Sequence, residues 1–107
     1  MAYVYLICDS SKDNAYKIGV TKGKLEKRLK KLQTGSSGEI FLCKSYESEY
    51  PFFIEKQLHR KYQHKKILNE WFELDDSDVF SFEENCKRIE ELVKIMENNP
   101  FFPKNVK

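Results

Sequence analysis

The chain has 107 residues, 40% hydrophobic, 34% charged and 14% aromatic, with a formal net charge of +2. That is enough for one core and one domain over residues 1–107, and too apolar for a disordered segment. No apolar run reaches the roughly 18 residues of a membrane span, and the start, MAYVYLICDS, lacks the basic region and small-residue cleavage site of a signal peptide.

In chain order, YVYLICD (3–9) alternates faces and is rich in β-branched and aromatic residues, which predicts a strand. SSKDN (10–14) is turn chemistry, and AYKIGV (15–20) completes a hairpin. Residues 24–34, KLEKRLKKLQT, have helical period, with Gly35 as the C-terminal cap. EIFLCKSYES (39–48) is a third strand. Pro51 opens a helix over 51–65, PFFIEKQLHRKYQHK. NEWFEL (69–74) is an extended or turning aromatic plug, and SFEE (81–84) has the capping-box pattern. Phe82, Cys86, Ile89, Val93 and Met96 then repeat at helical spacing, a covering helix within 78–98. Two prolines predict an irregular tail over 99–107. The expected fold is α/β (α+β): a three-stranded antiparallel sheet flanked by helices, order ββαβα plus a C-terminal helix.

Cys8, Cys43 and Cys86 lie far apart in apolar periodic segments, as buried reduced thiols do. They form no zinc cluster and point to a reducing, cytoplasmic compartment. Charge is divided along the chain. Residues 12–66 carry fourteen Lys/Arg against six acids, and residues 73–91 carry eight acids against Lys87 and Arg88. The basic part suits a nucleic-acid face or simply a solvated surface.

Several charged side chains fall on faces that alternation and periodicity assign to packing. Val4, Leu6 and Cys8 share a face with Tyr16, Ile18 and Val20. Tyr5 and Lys17 are left on the opposite face beside Gly19, either solvated or at a site where the glycine makes room for a ligand. Arg28 borders the stripe of Leu25, Leu29 and Leu32. On the second helix Phe52, Glu55, Leu58, His59 and Tyr62 share a face. A carboxylate there requires a partner, either Arg28 in a salt bridge or a metal ion. His59 is a core histidine or a member of the same site. Tyrosine, lysine, arginine and glutamate converging on one cleft are the chemical types that phosphoryl transfer uses.

With YVY at 3–5, KIG at 17–19, GVTKGKLEKRL leading to Arg28, IEKQLHRKY carrying Glu55, and NEWFEL, the sequence resembles a GIY-YIG nuclease domain over residues 3–75. It resembles the compact branch with KIG in place of YIG. The resemblance implies a metal-dependent DNA endonuclease or nickase. In it Glu55 holds one Mg²⁺ or Mn²⁺, Tyr5 activates or positions water, Arg28 steadies the transition state and Lys17 assists Tyr5 or contacts phosphate. Leu32 stands where many relatives carry histidine or tyrosine, and His59 is the nearest substitute. Lys22, Lys24, Lys27, Lys31 and Arg60 would bind the DNA backbone. The resemblance further implies a viral or mobile-element setting, and a protein partner or homodimer that supplies specificity. The alternative function is a catalytically weak or inactive nucleic-acid-binding or regulatory module of the same fold.

Overall fold

The computed structural model describes residues 2–99. The first two strands, β1 (Ala2–Asp9) and β2 (Ala15–Thr21), pair antiparallel in the register Tyr5↔Gly19 and Ile7↔Lys17. Asn14 closes their turn with φ 56°, a left-handed conformation that asparagine tolerates. Then come α1 (Leu25–Thr34), β3 (Ile40–Ser48), α2 (Pro51–Lys61), a 3-10 turn (Gln63–Lys65), β4 (Lys66–Leu68), β5 (Trp71–Glu73), α3 (Asp76–Phe80) and α4 (Phe82–Glu97).

The expected three-stranded sheet is corrected to five antiparallel strands in the order β3-β1-β2-β5-β4. The α+β character holds. The two added strands have three residues each, too few for alternation to announce them. NEWFEL is therefore both plug and strand: Phe72 is buried in the core, while its backbone pairs with Tyr16 of β2.

Two helix boundaries also move. The helix expected over 51–65 ends at Lys61 and tightens into the 3-10 turn. The capping box belongs to Asp75 and Asp78 and starts α3; the Ser81 side chain makes no capping bond. Asp75 has the extended backbone that an N-cap needs (φ −97°, ψ 176°), whereas Ser81 (φ −86°, ψ 0°) already continues from α3. Of the tail expected over 99–107, everything beyond Asn99 lies outside the described residues.

The core lies between one sheet face and the helices α2 and α4. Val4, Leu6 and Ile18 meet Ile54, Leu58, Tyr62, Phe72, Leu74, Phe82 and Cys86, with Tyr16 and Val20 packed alongside. Of the three free thiols, Cys86 is buried and Cys8 and Cys43 are half-buried. The stripe expected on α2 is rotated. Ile54, Leu58 and Tyr62 are buried, Phe52 is 45% exposed, and Glu55 and His59 are half-buried at the edge.

Tyr5 and Ile7 lie on the other face, yet they are 2% and 0% exposed. α1 packs over that side against β3 with its leucines and Arg28 half-buried. Its loop to β3 is pinned twice. Gln33 donates to the Gly38 carbonyl (2.7 Å) and accepts from the Ile40 amide (2.8 Å), and Ser36 Oγ donates to the Asp9 carboxylate.

Candidate active site

The edge of β2 decides where the charged groups meet. β5 pairs with β2 only from Ala15 to Lys17, and one further bond joins the Ile18 amide to the Glu70 carbonyl (3.2 Å). Among the described residues, no strand pairs with that edge beyond Ile18. Side chains from opposite faces of the sheet can therefore approach each other around it.

From the α1 side comes Tyr5. Its ring lies across Gly19, where a β-carbon would overlap the phenol. The space over Gly19 expected for a ligand thus belongs to Tyr5 itself, and neither Tyr5 nor the sheet face around it is solvated. Burial raises the Tyr5 pKa above its ordinary value; Arg28 opposes the shift, and Glu70 and Glu55 add to it. At neutral pH Tyr5 is a protonated phenol.

From the α2 side come Glu55 and His59, four residues apart and so on one helix face. His59 Nε2–H donates to the Ile18 carbonyl (3.0 Å), and its ring meets Phe72 edge-on with centroids 5.0 Å apart. With Nε2 so engaged, Nδ1 is the ring nitrogen left for coordination. Burial raises the Glu55 pKa; His59 and Lys17 oppose the shift and Glu70 adds to it.

Glu70 is the member that sequence reasoning missed. It follows Asn69, whose φ of 54° turns the chain between β4 and β5. Donor atoms of Glu55, His59 and Glu70 all lie within 4.8 Å of one another, and no other such trio of His, Cys, Asp and Glu occurs among the described residues. Lys17 Nζ lies 3.5 Å from Glu70. The Glu55–Arg28 salt bridge is absent: among the described residues Arg28 forms no ion pair within 4.0 Å. Only recognition of the β4–β5 hairpin could have flagged Glu70, as an acid in a two-residue turn between strands.

Two carboxylates and an imidazole fit a divalent cation. The oxygens suit Mg²⁺ and the mixed N/O set suits Mn²⁺. Lys22, Lys24, Lys27 and Lys31 join Arg28 in one groove that runs from the loop before α1 along the helix. Arg60 stands apart, exposed on α2 and outside that groove.

Residues 2–99 match the family model described as T5orf172 domain. This corrects the expected family. T5orf172 is a nuclease-like domain of GIY-YIG-like fold, but a different family, associated with nuclease and DNA-binding activity. No curated protein and no solved structure matches the chain.

Proposed function

We propose that this chain, which belongs to the T5orf172 domain family, is a divalent-metal-dependent endonuclease that hydrolyses DNA phosphodiester bonds. One observation carries the reading: the half-buried Glu55 carboxylate shares a cluster with His59 and Glu70, at the strand edge where Tyr5 and Arg28 also act. Lys17 compensates Glu70, whereas Glu55 forms no ion pair within 4.0 Å among the described residues, and a part-buried carboxylate is costly without a compensating cation.

Glu55 and Glu70, with His59, would hold Mg²⁺ or Mn²⁺. When bound, the cation polarises phosphate and lowers the pKa of coordinated water. Tyr5, kept protonated by burial, orients the attacking water through its hydroxyl. Arg28, which forms no ion pair among the described residues, offsets charge that accumulates on the phosphorus oxygens. Lys17 holds a non-bridging phosphate oxygen. The water oxygen bonds to phosphorus and releases its proton to solvent as the P–O bond to the departing strand breaks, and the departing oxygen takes up a proton from solvent.

The test is plasmid cleavage in Mg²⁺ or Mn²⁺ by the wild type, Glu55→Ala and Arg28→Ala. Cutting by the wild type that both variants lose supports the hydrolase. Equal cutting by all three marks a contaminating nuclease, and DNA binding without cutting identifies a binding module instead.

A further inference from the structure

Next to the cluster, beneath the C-terminal end of α1, lies a cavity of about 390 Å³. Its walls include Lys12, Lys17, Lys31, Ser36, Ser37 and Trp71, with Asp9 at the base. Lys17 is a shared wall, because the same ammonium pairs with Glu70.

Two features fit it to an anion on an aromatic support. Lys12 and Lys31 form no ion pair within 4.0 Å among the described residues, and Lys12 Nζ sits 4.1 Å from the centre of the Trp71 ring. The lone carboxylate, Asp9, is already engaged. Oδ1 accepts from the Ser11 amide (2.9 Å) and hydroxyl (2.7 Å), and Oδ2 accepts from Ser36 Oγ. Those bonds, with the Gln33 clamp, hold the rim formed before any ligand arrives, which lowers the ordering cost of binding.

We infer that this cavity is a strand subsite: it takes the nucleic-acid phosphate next to the one handled by Arg28 and Glu55, with Trp71 against the adjoining nucleotide. Lys12 and Lys31 bind the phosphate, and Lys17 separates the two positions. The inference rests on the nuclease reading for the neighbouring position, and its test is run without metal or cleavage.

Trp71 is the one tryptophan of the chain, so its emission reports on this cavity. The full chain is titrated in EDTA with a short single-stranded DNA, reading Trp71 emission and the anisotropy of labelled DNA. The expected result is an emission change that tracks binding. Lys12→Ala/Lys31→Ala should abolish that change, weaken binding about tenfold at low salt and reduce the salt slope by about 1.4, the equivalent of two contacts. Lys12→Arg/Lys31→Arg should retain most of the binding. Unchanged emission on a protein that binds DNA, or an unaltered salt slope in the double alanine variant, overturns the subsite. So does inorganic phosphate that reproduces the whole emission change. A wild type that gives the emission change yet never cuts with Mn²⁺ sinks the hydrolase and leaves the subsite standing; cutting with silent Trp71 does the reverse.

Discussion

The Tyr5 ring lies over the backbone of Gly19, its register partner across the β1–β2 hairpin, in the space a β-carbon would need. The glycine thereby fixes where the phenol points, at the end of β2 that β5 leaves unpaired. Gly19→Ala should cost about 1–3 kcal/mol by overpacking and displace the hydroxyl. Urea unfolding and cleavage assays should both register it. Tyr5→Phe should lose cleavage with little loss of stability. A Gly19→Ala protein of wild-type stability and activity would show that the ring has room to move.

Two carboxyl groups should give opposite pH dependences in metal-free protein. Asp9 is held down to about 2 from 3.8, chiefly by the hydrogen bonds from Ser36 and Ser11. Its stabilisation is complete above 3.8 and lost as pH falls toward about 2. Glu55 is raised above 4.5 by burial. Its contribution is complete below 4.5 and lost as pH rises through the folded value. Thermal midpoints of Asp9→Asn and Glu55→Gln, plotted as differences from wild type, should slope in opposite directions. Parallel curves would remove Glu55 from the half-buried setting described for it.

Glu70→Gln keeps the size of the side chain and the β4–β5 turn but removes a charge from the cluster. Mn²⁺ affinity, read by calorimetry, should fall about 10–100-fold, the range for groups that shape a metal site. Binding at acidic pH should release protons in the wild type, because Glu55 must give up its own. Unchanged affinity would confine Glu70 to pairing with Lys17.

Lys17→Met separates cation binding from DNA binding. The Lys17–Glu70 contact is partly exposed and so worth about 1 kcal/mol or less. Its removal frees Glu70 and takes a positive charge from beside the cation. Mn²⁺ should bind a few-fold more tightly while DNA binds less tightly. Both affinities falling together would show that Lys17 mainly supports the fold.

The strands of the first hairpin, the amphipathic α1 and the long α4 were legible because each is a local pattern repeated over many residues. The quartet of Tyr5, Lys17, Arg28 and Glu55 stood out in the sequence because ionisable residues occupy positions that alternation or helical period assigns to packing. β4, β5 and Glu70 were not legible. Three residues carry too little periodicity to announce a strand, and Glu70 matters only because the Asn69 turn brings it back beside Lys17 and Glu55. The side chain that Glu55 would meet was equally out of reach, since sequence offered Arg28 and the fold supplies His59 and Glu70. The sequence by itself determined which elements form and which charges could not remain in the core. The tertiary structure decided which of those charges meet, because that depends on where β5 stops along β2 and leaves an edge around which groups from both faces of the sheet come together.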